Sequence, residues 1–398
     1  MRTFSPGTPS LLRAINERTV LECIRQGGPL SRAEIARVSG VSKPTVSQAL
    51  AVLERAQLVR EAGRTSGSKG PTAVLYELNP AAGHVVGVDV GRERVRAAVA
   101  DLAGTVLAQV DQKSRAQSAR ALITQIGKVA RQVAAQAGLS WSLVTVTVVG
   151  SPGVFTEDGD HPTLAHNLPG WGRAGVLDAV RAELGTHVRF DNDVNLAALG
   201  ESRFGVARGV DTFVYLHVGT GVGMGILLGG QLYRGSTGAA GEVGYLPLAA
   251  GDPYDPKTRR RGALESAIGA AAIVRDARAA GLRGVSRAAE VLDAARSGDE
   301  RARAVVATVT QRIGLALASV APVLDPELVV IGGGVGRNGD LFLEPVRRAL
   351  AGVSPIRPRI EVSELGPDAE LMGAVAMALA VAQDRLFARA ETKGAIAV

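Results

Sequence analysis

Five residues near the N-terminus, Ser42, Lys43, Thr45, Ser47 and Gln48, have side chains suited to contacting a nucleic acid. The Gln48 amide can make paired hydrogen bonds to adenine, and hydroxyls can bond either bases or phosphates. Lys43 suits a phosphate clamp. Downstream, Arg64, Ser66, Ser68 and Lys69 lie in a loop rich in Gly, Ser and basic residues. Basic residues there would reach backbone or minor groove and give affinity rather than sequence choice.

The elements around these residues form a winged helix-turn-helix pattern. Apolar residues at Leu11, Leu12, Ile15, Val20, Leu21 and Ile24 predict a helix over 10–26, stopped by Gly27-Gly28-Pro29. Ser31-Arg32-Ala33-Glu34 is a capping box opening a short second helix that ends near Ser39-Gly40. Ser42 caps a third helix running to about Ala56, with Pro44 in its first turn, where the missing N–H costs nothing. That helix should lie in a major groove and present its first turns to base edges. Residues 58–61 and 72–78 read as strands flanking a wing loop at 63–71. Ile35, Ala36, Val41, Val46, Ala49 and Leu50 are assigned to the module's small core. Residues 1–80 hold eleven basic and six acidic side chains, so five of the seven net positive charges sit in this fifth of the chain. That asymmetry points to a polyanionic partner. The expected domains are 1–78 for the DNA-binding module, 79–83 for a linker and 84–398 for the remainder.

Past Gly83 apolar strands (84–89, 94–101, 106–110, 144–149, 188–190, 213–218, 328–331) alternate with Ala-rich helical segments, which predicts an α/β sheet covered by helices. The 398-residue length suits two or three domains, and 46% apolar with 21% charged residues is ordinary for a globular protein. Cys23 is the sole cysteine, so one chain can form neither a disulfide framework nor a multi-Cys zinc site. This fits a reducing, cytoplasmic setting. No uninterrupted apolar run reaches the roughly 18–20 residues that span a bilayer. Residues 371–382 read as a buried helix, and the N-terminus carries no secretion signal.

Six motifs punctuate this region: Val88-Asp89-Val90-Gly91, Asn167-Leu168-Pro169-Gly170-Trp171, Asp191-Asn192-Asp193-Val194-Asn195, Gly219-Thr220-Gly221-Val222-Gly223, Gly241-Glu242-Val243-Gly244-Tyr245 and Ile331-Gly332-Gly333-Gly334-Val335. Their order resembles the ROK family of sugar kinases and sugar-responsive repressors, over essentially the whole chain. The resemblance implies a winged helix-turn-helix followed by a two-lobed, actin- and hexokinase-like (ribonuclease H-like) α/β domain. It also implies that Asn167, Asn192, Asp193, Glu242 and Glu265 contact sugar hydroxyls, a task for which carboxylates and amides are suited. In the family's kinases the Asp at position 193 is the general base.

The chain departs from the kinase pattern at two places. The phosphate loop Asp-x-Gly-Gly-Thr is here Asp89-Val90-Gly91-Arg92-Glu93, and a bulky Arg with a carboxylate opposes a bare-backbone phosphate cradle. The zinc ligands of the family, one His and three Cys, fall on Tyr245, Pro256, Thr258 and Ala263, so no zinc is expected. Tyr245 can stand in for the His as a sugar contact. Arg259-Arg260-Arg261 is expected as a solvated surface, and the glycine runs at 219–223 and 332–334 as turns that the fold requires. The expectation is a non-enzymatic, cofactor-free regulator, a repressor of sugar metabolism genes. It would bind an inverted-repeat operator as a dimer or tetramer and be controlled by a sugar. The runner-up is an active ATP-dependent sugar kinase carrying a DNA module, and a third possibility is a DNA-binding scaffold with a dead pocket.

Overall fold

A computed structural model describes residues 9–65, 72–156, 159–165, 168–248, 252 and 254–396. It opens with α1 (Pro9–Gly27), β1 (Leu30–Ser31), α2 (Arg32–Ser39), α3 (Lys43–Arg55), β2 (Val59–Arg64) and β3 (Val74–Leu78). The predicted capping box is closed: Glu34 N–H donates to Ser31 Oγ at 3.3 Å, and Ser31 N–H donates to Glu34 Oε2 at 2.8 Å. Ser42 caps α3, with Pro44 in the first turn. Two-residue β1 carries no periodic signal in the sequence, yet it pairs with β3 to give the sheet order β1-β3-β2. Ile35, Val46, Ala49 and Leu50 are buried, joined by Val20, Ile24, Leu53 and Tyr76, while Ala36 and Val41 pack against them from the edge. The Arg32 guanidinium lies 5.2 Å from the centre of the Tyr76 ring and hydrogen-bonds its hydroxyl. Residues 79–83 form a short turn capped by Asn79, and Ala82 packs against both the winged-helix core and the next sheet.

The following unit runs β4 (His84–Val90), β5 (Arg94–Asp101), β6 (Val106–Lys113), α4 (Ala119–Gln136), β7 (Val144–Ser151), α5 (Val176–Leu184), β8 (His187–Asn192) and α6 (Asp193–Phe204). Its sheet has the order β6-β5-β4-β7-β8. The first three strands are antiparallel, and β4, β7 and β8 are parallel. The second unit runs β9 (Phe213–Val218), β10 (Val222–Leu228), β11 (Gln231–Leu232), α7 (Pro256–Arg261), α8 (Glu265–Ile268), α9 (Ala270–Ala279), α10 (Ala288–Arg296), α11 (Glu300–Leu324), β12 (Leu328–Gly332), α12 (Gly333–Gly336), α13 (Gly339–Val353), β13 (Arg359–Val362) and α14 (Ala369–Ile396). Its sheet, β11-β10-β9-β12-β13, repeats the strand order and directions of the first. No short sequence repeat announces this duplication, because it resides in hydrogen-bond topology rather than residue identity.

Helices α4 and α5 bury Leu122, Ile126, Val129, Leu177 and Val180 on one face of the first sheet. The chain then returns from the second lobe, and α14 covers the other face with Leu371, Ala374, Val375, Ala378 and Leu379. Helix α11 is the one described helix long and apolar enough to cross a membrane, with mean hydropathy 1.5 over its best window, half of it buried here. Counting uninterrupted apolar runs overlooks it, since Thr308, Thr310, Gln311 and Arg312 break the run. Val309, Ile313 and Leu317 belong to the second lobe's core.

Helices α6 and α14 cross backbone to backbone. A Cβ on Gly373 would sit 1.6 Å from Leu196 O, and one on Gly200 would sit 2.5 Å from Ala369 O. Neither gap admits a methyl group without moving a helix. Gly373→Ala is therefore expected to destabilise the protein by about 1–3 kcal/mol, as overpacked cores do. A thermal or urea melt checks this, and an unchanged midpoint would show that the crossing relaxes freely.

Candidate functional site

A cavity of about 620 Å3 opens between the two lobes, lined by residues from both, including Arg92, Asn192, Asp193, His217, Glu242 and Glu265. Strand β8 delivers Asn192, which caps α6 by accepting the Val194 and Asn195 N–H groups at 2.8 and 3.2 Å. Its Nδ2 donates to Gly153 O at 3.0 Å, so this amide is chiefly a structural cap that also faces the cavity. Asp193 follows as the first residue of α6 and accepts the Val194 N–H at 2.9 Å. Asp191 faces away: its carboxylate is closed by Arg234 at 2.5 Å on a separate hollow of about 810 Å3 that holds none of the predicted contacts. Glu265 accepts Val222 N–H at 3.2 Å and Arg261 Nε at 3.1 Å. Tyr245 lies at the rim, its hydroxyl 3.5 Å from Arg260 O. Asn167 and Lys69 lie outside the described residues. Four positions beyond Asn167, Trp171 is fully buried and donates to Ser151 Oγ at 2.7 Å.

Behind Asp193 lies a cluster of charges that the sequence reading does not identify. Arg96 on β5 donates to Asp89 on β4 through Nε at 2.9 Å, and its Nη2 lies 2.8 Å from the same carboxylate. The same guanidinium lies 3.5 Å from Glu370 at the start of α14, and His217 Nδ1 on β9 lies 3.4 Å from Glu370 Oε1. Arg96 and His217 each interrupt the apolar residues of a strand, β5 and β9, which is a signal in the sequence; Glu370 carries no such signal. Burial pushes Asp89 up to about 6 despite Arg96. Burial likewise pushes Asp193 up to about 7, helped by Asp89 and Glu370 and opposed by His217. For His217 burial acts downward, but Glu370, Asp193 and Asp89 outweigh it and the imidazole pKa is raised. Glu242 is raised by burial and by Glu265.

The description "ROK family" matches residues 85–381, three quarters of the chain. The chain belongs to the ROK family. Residues 15–67 match the MarR family. A xylose repressor of Caldicellulosiruptor bescii is 27% identical over 390 residues, 94% of this chain and 97% of that protein. A glucokinase of Halalkalibacterium halodurans is 30% identical over 72% of this chain and 92% of its own. Among solved structures, a ROK transcriptional regulator, a homolog of the E. coli MLC protein, superposes with TM-score 0.79 at 22% identity, covering 96% of this chain and 99% of that one. A ROK hexokinase from Thermus thermophilus superposes with TM-score 0.63 at 30% identity over 76% of this chain and 99% of its own. The winged helix and two-lobed α/β domain expected from the ROK resemblance are thus the observed fold.

Against the ROK kinase pattern, the residues here do not fit a metal-bound nucleotide. Asp89 of the former phosphate loop is held by Arg96, and Arg92 lines the cavity where bare glycine backbone would be needed. The 219–223 run is the β9–β10 hairpin turn, closed by Gly219 N–H donating to Gly221 O at 2.9 Å. In the 332–334 run, Gly333 has φ of 83° and a Cβ there would lie 2.5 Å from Val218 O, so packing requires glycine. Neither does a zinc ion fit at Tyr245, Pro256, Thr258 and Ala263, which offer no Cys or His donor. The basic run is not wholly a solvated surface: Arg260 and Arg261 line the cavity. On the MarR-like module, Ser42, Lys43, Ser47 and Gln48 are exposed along one face of α3, Thr45 is half-buried against Ser42, and Arg64 is exposed at the end of β2.

Asp89, Asp193 and His217 all hold protons more tightly in the folded state than in the unfolded chain. The folded protein therefore binds the excess protons, and stability falls as pH rises. The Asp193 share begins to be lost above the unfolded value of about 4 and is gone above its folded value. His217 contributes below its unfolded value of about 6.5 and loses that contribution as pH rises through its raised folded value. Asp193→Asn should raise the melting temperature by a few degrees at pH 8 and change it little at pH 5. An equal offset at both values would contradict the assignment.

Proposed function

We propose that this ROK protein is a sugar-responsive transcriptional repressor that performs no phosphoryl transfer. The observation that carries the proposal is a continuous helix that runs from beside cavity-lining His217 to the core of the winged-helix module. Glu370 in the first turn of α14 lies between Arg96 and His217, and about 24 Å further on the helix reaches the winged helix. There Asp384 pairs with Arg18 of α1 at 2.8 Å, and Leu386 packs against the cores of both the winged helix and the first sheet. A ligand that binds beside Asp193 and His217 alters the charge balance at one end of this rod and so biases the position of the DNA-binding module at the other. Such a bias needs the ligand to bind the two arrangements with different affinity. Similarity to a xylose repressor along the full length, including the winged helix, supports the reading.

One winged helix offers little contact area, so the working form is a cytoplasmic homodimer on an inverted repeat. Gln48→Ala should cost about 1–3 kcal/mol of operator affinity and relax preference at one base position, while Arg64→Ala should weaken all sequences alike and lower the salt slope by about one. Electrophoretic or fluorescence titration at several salt concentrations distinguishes the two.

In the cavity, Asn192, Asp193, Glu242, Tyr245 and Glu265 are proposed to meet the sugar hydroxyls, and Asn167, outside the described residues, is the sixth contact that the family resemblance implies. Asp193→Ala should abolish the effect of sugar on DNA binding and leave DNA binding itself intact. Leu386→Ala should leave sugar binding intact yet shrink its effect on DNA. Full responses in both variants would refute the coupling. A second reading, an active kinase, is favoured by Asp193 and by the glucokinase relative; ATP-dependent phosphorylation of a sugar by the purified chain would establish it.

A further inference from the structure

The second hollow, of about 810 Å3, runs along the open edge of β8: residues 186–191 all line it. Strand β8 is the last in its sheet and, among the described residues, pairs only with β7. Alternate residues of an edge strand turn their N–H and C=O groups away from the sheet. In β8 those groups have no backbone partner among the described residues. The edge is recessed. Leu177 and Arg181 of α5 stand on one side of it, Met377 and Val381 of α14 on the other, and residues 234–238 of the second lobe complete the lining.

The side chains of β8 alternate between two surroundings. Val188 and Phe190 turn toward α5, where Phe190 stacks on Phe155 with ring centres 6.3 Å apart and lies 5.1 Å from the Arg181 guanidinium. His187, Arg189 and Asp191 turn toward the α14 side, where Arg385 lies 3.2 Å from His187 Nδ1. Burial, Arg385 and Arg189 together push the His187 imidazole below its ordinary value, so positive charge crowds this face. Arg181 is shared with Asp178, and Arg234 closes Asp191. Arg189 is exposed and has no acceptor among the described residues. The described lining thus carries Arg181, Arg189 and Arg234 against one carboxylate, Asp191.

We infer that this hollow receives an extended segment of a partner protein, which adds to β8 as a sixth strand, with apolar side chains packing beside Phe190 and a carboxylate meeting Arg189. A row of main-chain donors and acceptors along a strand is matched by another extended chain and by no compact ligand. A second copy of this sheet fits poorly: pairing β8 with β8 about a twofold axis sets one Arg189 near the other, and like charges across a strand pair repel. Of the residues lining this hollow, only Gly238 also lines the inter-lobe cavity, so the inference does not depend on the sugar reading. The added strand would rest on Met377 and Val381, on the helix that meets the winged helix at Asp384 and Leu386.

The test is selection of random displayed octapeptides on the immobilised full chain, followed by titration of the synthetic winners. These should alternate apolar residues and carry Asp or Glu. Arg189→Glu should weaken them about tenfold or more, at the parent's melting temperature, as loss of a charge-assisted contact predicts. Methylating alternate backbone N–H groups of a winning peptide should abolish binding in one phase and spare it in the other, because only one edge of an added strand faces β8. The bound peptide should also slow hydrogen exchange at the amides of 187–191. Equal tolerance of both methylation phases, indifference to Arg189→Glu, or protection confined to another segment overturns the inference. An empty selection overturns it too. Loss of operator affinity in Arg189→Glu would then assign this cation to DNA, and loss of self-association would assign the edge to a second copy.

Discussion

Two helices touch at Gly200 and Gly373 with no side chain between them, and the placement of every cavity-facing group follows from that contact. Helix α6 grows out of the first sheet, capped by Asn192, yet Val194, Ala197 and Ala198 pack with the second lobe's Phe213, Tyr215 and Leu227. Helix α14 leaves the second lobe and lies down on the first sheet, where a Cβ on Gly87 would meet Val375 N at 2.8 Å. The lobes are thus joined by two crossed helices whose separation is set by backbone atoms. Interiors packed this closely switch between discrete arrangements rather than deform smoothly.

The charge cluster at the joint follows from the same geometry. Three carboxylates, Asp89, Asp193 and Glu370, face two cationic groups, Arg96 and His217. Buried charge is costly unless it is paired, so burial raises Asp89 and Asp193 to about 6 and about 7, while His217 and Arg96 hold Glu370 below its ordinary value. Such a cluster gains little stability from its charges and remains sensitive to whatever enters the cavity. Arg96 places a fixed cation on Asp89, and Arg92 stands in the cavity wall.

Among the described residues, the contacts between the winged helix and the rest of the chain include an exposed ion pair, Arg18 with Asp384, and the packing of Ala82 and Leu386. Exposed pairs contribute at most about 1 kcal/mol. The module's own core, centred on Ile35, Val46, Leu50 and Tyr76, is complete without the neighbour.

The sequence by itself determined what depends on neighbours within a few residues. The capping box at Ser31 and Glu34, the Ser42 cap, the apolar face of α3 and the exposed polar face beside it are all consequences of helical periodicity and local hydrogen bonding. Motif order was equally legible, because glycines and acidic residues at strand ends keep their spacing whatever the rest of the chain does. Only the tertiary structure decided which distant residues meet. Arg96 reaches Asp89 through the β4–β5 register, and Glu370 joins them from 274 positions away because α14 folds back. Arg260, though exposed, stands at a cavity wall, Asp191 turns out of it, and Asn192 spends its amide on a cap. Register and helix crossing are summed over the whole core, so no local pattern encodes them.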